Sequence, residues 1–181
     1  MEKNFEILLV SEEYIKNYSS LMQNVDSQII KMHMFESQNI DLQYIIGTTL
    51  YSEIINQYYD FKIYLDNGGD PQDIDNYVEP RIQKLVKECK PYLMYRTLYN
   101  SGYSLATKLS NKGIEEQSSD YSTNAPIELI ERMRAEWKNK SEDYVVQLIK
   151  FISSDIYPEF TVECETTAPG YSSPLYLGKE L

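Results

Sequence analysis

Nine apolar residues between Pro126 and Ser153 recur at helical spacing. Ile127, Ile130, Met133, Trp137, Tyr144, Val145, Leu148, Ile149 and Ile152 fall within one arc of about 160° at 100° per residue. Glu128, Arg132, Glu136, Asp143 and Lys150 occupy the other side. So long an amphipathic helix is stable only with its apolar arc against other elements, so the rest of the chain must supply a matching core.

The partners this helix needs are also helical. Ser11 ahead of Glu12 and Glu13 is an N-cap followed by carboxylates that suit the positive end of a helix, predicting a short helix to about Leu21. Asp26 starts a second helix, whose Ile29, Ile30, Met32, Met34 and Phe35 fall on more than one face and predict burial on several sides. Ile40 to Ile46 lead to Gly47, a C-cap residue, with Thr48 and Thr49 as N-cap candidates for the next helix. There Leu50, Ile54, Tyr58, Phe61 and Leu65 share an arc of roughly 80°. The helix stops at Asn67-Gly68-Gly69, after which Asp70-Pro71 reads as an N-cap with proline at the first helical position.

Pro80 opens a longer helix, predicted to reach about Leu109 with a kink at Pro91, which lacks an N–H and crowds the preceding turn. Beyond Pro91 this helix has two faces. Met94, Leu98, Gly102, Leu105 and Leu109 form an aliphatic stripe, and Tyr92, Tyr95, Tyr99 and Tyr103 form a phenolic one about 100° away. The phenolic stripe is either the wet rim of one wide core face or a separate packing surface.

Residues 111–125 are polar turn-formers without helical period and predict a long loop. After Ser154 three prolines and two glycines at Pro158, Pro169, Pro174, Gly170 and Gly178 break any helix, yet Ile156, Tyr157, Phe160, Val162, Tyr171, Leu175, Tyr176 and Leu177 lie among them. That mixture fits an extended arm that docks on a neighbour, or else a free terminus. The expected organisation is therefore all-α: a compact bundle of five to six helices over 1–153, with one proline-kinked long helix and a long loop, followed by an extended C-terminal arm over 154–181.

Motifs for catalysis are scarce. His33 is the only histidine, which excludes multi-histidine metal sites and leaves little scope for a histidine-based triad; its place between Ile29 and Met34 suits a structural, partly buried role. With seven scattered glycines nothing cradles a phosphate. Asp66, Asp70, Asp73 and Asp75 lack the order and the final glutamate of a calcium loop, and consecutive helix caps explain them better. Cys89 and Cys164 are far apart in sequence and read as idle thiols in a reducing compartment. The expectation is no enzyme, no cofactor and no metal.

Charge narrows the partners. Twenty-eight acidic against 17 basic residues give a net charge of −11, which disfavours tight nucleic-acid binding but not a surface past which DNA slides. Ile7-Leu8-Leu9-Val10 is too short for a signal peptide, and no stretch approaches the ~20 apolar residues of a membrane span. A protein made and used in the cytoplasm, or in something assembled there, is expected.

The order of segments resembles a known family. Ile40-Asp41-Leu42-Gln43-Tyr44-Ile45-Ile46-Gly47-Thr48-Thr49-Leu50-Tyr51 is similar to the "L-x-x-x-L-G-T-x-L-Y" passage of helical head–tail connector (adaptor) proteins of tailed bacteriophages, in particular the Bacteroides and crAss-like type. Lys108-Leu109-Ser110-Asn111-Lys112-Gly113-Ile114 resembles that family's "T-N-K-G-[VI]" turn, and the last helix ends near an aromatic-proline pair, Tyr157-Pro158. The likeness spans about residues 10–160 and is carried by the ordered combination, since each piece alone is generic. It implies a structural virion protein: a subunit of a homo-oligomeric neck ring, commonly twelvefold, between portal and tail or further neck proteins, with DNA only as passing cargo and no membrane. No catalytic residues carry over.

Joined to that implication, the apolar surfaces become interface candidates: Tyr92, Tyr95, Tyr99, Tyr103, Ile114, Tyr121, Tyr157, Phe160, Tyr171, Leu175, Tyr176 and Leu177. Two further readings stay open. One is a small acidic helical binding or regulatory module that holds a basic protein. The other is a helical hydrolase working through carboxylates and a metal.

Overall fold

In the structure, a computed structural model, residues 7–19, 25–110, 113–116 and 127–153 are described, with backbone only for 106–110 and 113–116. Among the described residues six α-helices make an all-α fold: α1 (Glu12–Tyr18), α2 (Ser27–Glu36), α3 (Gln43–Ile46), α4 (Thr48–Asp66), α5 (Pro80–Ala106) and α6 (Ile127–Ile152). A π-helical segment, Ser37–Leu42, joins α2 to α3, and a 3-10 segment, Pro71–Asn76, precedes α5.

Capping follows the sequence closely at three junctions. The Ser11 hydroxyl accepts from the Tyr14 amide at 3.1 Å, the Asp26 carboxylate from Gln28 and the Asp70 carboxylate from Gln72, each at 2.8 Å. The fourth junction differs from expectation. Neither Thr48 nor Thr49 caps α4, because Gly47 itself ends α3 and starts α4. Its φ of +83° is open to glycine at little cost, and it lets the Gly47 amide bond Gln43 while its carbonyl accepts from Tyr51, both at 3.0 Å.

α5 is the axis of the bundle and runs unbroken through Pro91. Its Ile82, Leu85, Leu93 and Leu98 are fully enclosed, each contributing on the order of 2 kcal/mol through burial. One continuous core joins them to Ile7, Leu9 and Val10, to Ile30 and Met34 of α2, to Leu50, Ile54 and Ile55 of α4, and to Leu148 and Ile152 of α6. The second helix is less evenly buried than its sequence suggested, since Met32 points outward.

The long helix ends three residues early. It stops at Ala106, and Thr107–Ser110 instead pairs antiparallel with Gly113–Glu116 as strands β1 and β2, with Leu109 opposite Ile114 and Ser110 opposite Gly113. A β-branched threonine followed by Ser-Asn-Lys-Gly favours a hairpin over another helical turn. Part of the stretch expected as loop is therefore a strand, and Ile114 sits in it. Residues 117–125 and the segment 154–181 lie outside the described residues.

Along one side of α5 the contacts are polar and evenly spaced. Positions 33, 37 and 41 face 104, 100 and 96, four residues apart on each chain segment and running antiparallel. The His33 Nε2 lies 2.9 Å from the Ser104 hydroxyl, and the Asn100 amide donates to the Ser37 hydroxyl at 3.0 Å and to Asp41 at 3.1 Å. Arg96 closes the ladder with two bonds to Asp41, Nε at 2.8 Å and Nη2 at 2.7 Å. Burial opposes the charge on Arg96, but the bonded carboxylate more than offsets it and raises the guanidinium's pKa.

Removing one partner of this pair leaves the other charge poorly solvated. Asp41→Ala and Arg96→Ala should each cost about 2–4 kcal/mol in chemical denaturation. The double variant should cost at least about 1 kcal/mol less than their sum. Additive losses would show that the pair does not couple α5 to the π segment.

Candidate functional site

Two arrangements of polar side chains invite a functional reading, and both lie on α5. The first is the top of the ladder. Glu36 Oε2 is 2.8 Å from His33 Nδ1, and His33 Nε2 is 2.9 Å from Ser104 Oγ, so a carboxylate, an imidazole and a hydroxyl stand in line. The sequence concealed this, because 71 residues separate His33 from Ser104 and no motif marks either.

The order matches a nucleophilic relay, but the helix that carries Ser104 does not itself supply the rest of one. Acyl transfer needs N–H donors aimed at the developing oxyanion beside the nucleophile. Ser104 lies within α5, whose amides are spent on carbonyls one turn back. His33 is buried against the core, as its helical position predicted. Through these bonds the three side chains tie α2 to the end of α5.

The second arrangement is the tyrosine stripe, which meets α6. Tyr92 is buried, and burial, with Asp41 nearby, pushes its hydroxyl's pKa well up. The Tyr95 ring lies nearly parallel to Tyr144, centroids 5.7 Å apart. Farther along, Arg134 reaches across from α6: its guanidinium carbon is 4.5 Å from the Tyr99 ring centroid and 3.8 Å from that of Tyr103. Its Nε also donates to the Tyr99 carbonyl at 3.0 Å.

Gly102 makes this crossing possible. A Cβ there would come within 2.7 Å of the Arg134 Cγ, so the aliphatic stripe is interrupted where the arginine passes. Nothing in the arc of apolar residues singled out Arg134; the glycine within an otherwise bulky stripe was the available signal.

The proposed interface residues thus divide. Tyr95 and Tyr99 are engaged within the chain at the α5–α6 seam, and Tyr92 is buried with Asp41 near its hydroxyl. Tyr103 is partly exposed at the far end of that seam, and Ile114 lies in the hairpin beyond it. Tyr121, Tyr157, Phe160, Tyr171, Leu175, Tyr176 and Leu177 lie outside the described residues, as does Cys164. Cys89 is a free, buried thiol whose pKa burial raises, which leaves it unreactive. No cluster of potential metal ligands occurs among the described residues. Of the four aspartates, Asp70 caps the 3-10 segment as expected, whereas Asp66 pairs with Lys62, Asp73 accepts from the Tyr64 hydroxyl and Asp75 accepts from Gln83.

A family model matches residues 42–170, more than half of the chain. The chain belongs to the DUF6712 family, a family of unknown function. The matched range holds α3 to α6, the hairpin, and the α5 side of the ladder, while His33, Ser37 and Asp41 precede it. No curated protein and no solved structure matches the chain.

Two outcomes follow from the geometry. Gly102→Ala should destabilise the fold by about 1–3 kcal/mol through overpacking against Arg134. Gly102→Ala/Arg134→Ala should lose less than the two single changes combined, and a fully additive loss would place the strain elsewhere. A fluorophosphonate probe should leave Ser104 unlabelled; labelling that disappears in Ser104→Ala and in His33→Ala would reveal a working hydrolase.

Proposed function

We propose that this chain is a structural subunit of a ring in the neck of a tailed virus, standing between portal and tail and forming part of the DNA channel. The observation that carries the reading is exposed apolar side chains at two places around one core, the α2–α3 rod and the start of α6. Met32 and Ile40, 57% and 64% exposed, lie on the rod from α2 to α3, with Tyr44 also exposed beside them. Ile127 and Leu129, 49% and 40% exposed, open α6.

Contacts that repeat head to tail require two different patches, one given and one received, and they close into a ring when the rotation between neighbours divides a full turn. A self-complementary dimer would need only one. The ordered likeness to connector proteins along residues 10–160 supports the same reading. So does the net charge of −11, which favours DNA gliding past a channel wall over DNA held by it. Among the described residues no helix is long and apolar enough to cross a membrane.

Averaged electron-microscope images test this directly. The concentrated chain, alone or with a portal, should give annular particles with rotational symmetry, and antibodies to it should label the necks of virions. A monomer at every concentration, together with unlabelled virions, would contradict the ring.

A further inference from the structure

A cleft of about 540 Å³ between α1, α4 and the first half of α5 is used by neither the ladder nor the seam. Tyr14, Tyr58, Val86 and Pro91 form its apolar lining, and Lys87 and Lys90 stand over it with Glu88 as the single carboxylate. Lys84 lies one turn earlier on the same helix, exposed. Arg81 is taken up by Glu53 and Glu79, whereas Lys84, Lys87 and Lys90 have no ion-pair partner among the described residues. The Lys90 ammonium instead sits 5.9 Å from the Tyr14 ring centroid.

The backbone adds a further feature. Pro91 has no N–H, so the Lys87 carbonyl lacks its helical donor and can accept from outside the helix. Aromatic lining, free ammonium groups and an open carbonyl together suit an acidic peptide that carries rings. On a chain with a net charge of −11, such a basic cleft is a local exception.

We propose that this cleft receives the segment 154–181 of a neighbouring copy of the same chain. The segment has the complementary chemistry: Asp155, Glu159, Glu163, Glu165 and Glu180 against Lys179 alone, with Tyr157, Phe160 and Tyr171 among them. Its carboxylates meet Lys87 and Lys90, its rings pack on Tyr14, Tyr58 and Pro91, and its amides reach the Lys87 carbonyl. Extended, it spans on the order of 90 Å, enough to cross to an adjacent subunit. This docking rests on the ring reading, because closure gives every cleft a donor and every segment an acceptor.

The test uses full-length chain grown separately with 14N and 15N, mixed before assembly and treated with a carbodiimide, which joins carboxylates directly to amines. Mixed-isotope linkages from Glu159, Glu163 or Glu165 to Lys87 or Lys90 are expected. Because Lys87→Glu/Lys90→Glu removes those two amines, the readout for this variant is Lys84 one turn away: mixed-isotope links from the segment to Lys84 should fall roughly tenfold, as two surface pairs reversed in sign imply. Adding Glu163→Lys/Glu165→Lys to that variant should restore linkage with the charges exchanged. Links confined to one isotope, or mixed links to Lys84 indifferent to the reversal at 87 and 90, overturn the proposal. Images of the same samples separate the two ideas: rings without these links sink the docking alone, and the absence of both rings and mixed links sinks the ring as well.

Discussion

Arg96 and Asp41 hold the bundle in register. α5 is packed on most sides, so a charge it carries toward a neighbour must find a partner at the right height, whereas the neutral hydroxyl of buried Thr97 goes without one. The two bonds of 2.8 and 2.7 Å between Arg96 and Asp41 meet that need at one end of the ladder. Ser37–Asn100 and His33–Ser104 meet it above. Sliding α2 along α5 by a single residue would leave a largely buried guanidinium without its carboxylate, a cost of several kcal/mol. An apolar seam of the same area would tolerate such slips far better.

The N-terminal segment depends on the same stretch. Gln38, buried in the π segment, accepts from the Leu9 amide and donates to the Ile7 carbonyl, both at 2.8 Å, so one side chain does for this extended piece what a neighbouring strand would do. The π turn is the local device: its wider hydrogen bonding, with the Gln43 amide bonding the Gln38 carbonyl, accompanies the burial of Ser37, Gln38 and Leu42 together. On the other side of α5 the attachment is of another kind, rings and cations with Gly102 as the gap. With the ladder's polar groups engaged within the fold, Met32, Ile40, Ile127 and Leu129 are among the apolar side chains left exposed.

Periodicity made most of the architecture legible. The spacing of Leu50, Ile54 and Phe61 marked the buried face of α4, Leu148 and Ile152 that of α6, and serine and aspartate caps fixed three helix starts. Long-range polar pairing was not legible. Nothing local distinguishes Gln38 or Ser104 from other polar residues, and their roles exist only once segments 29 and 71 residues away arrive. The early end of α5 was missed because helical spacing of Leu105 and Leu109 continues past Ala106, while the pairing of Leu109 with Ile114 that competes with it lies in the strand beyond. The tyrosine stripe was seen as a face, but which body covers it, α6 of the same chain, is a tertiary fact.

The connector subunit proposed above would have to be stable before assembly and sticky in two directions afterwards. In the proposed ring, the ladder and the arginine seam would serve the first requirement, and the exposed apolar side chains on the α2–α3 rod and at the start of α6 the second. Hydroxyl-radical footprinting of free and assembled chain reads the two together. On assembly, oxidation of Met32 and of Ile127 or Leu129 should fall several-fold, while Tyr95 and Tyr144, already stacked within the chain, should change little. Equal oxidation of Met32, Ile127 and Leu129 in both states would contradict a ring built through these surfaces.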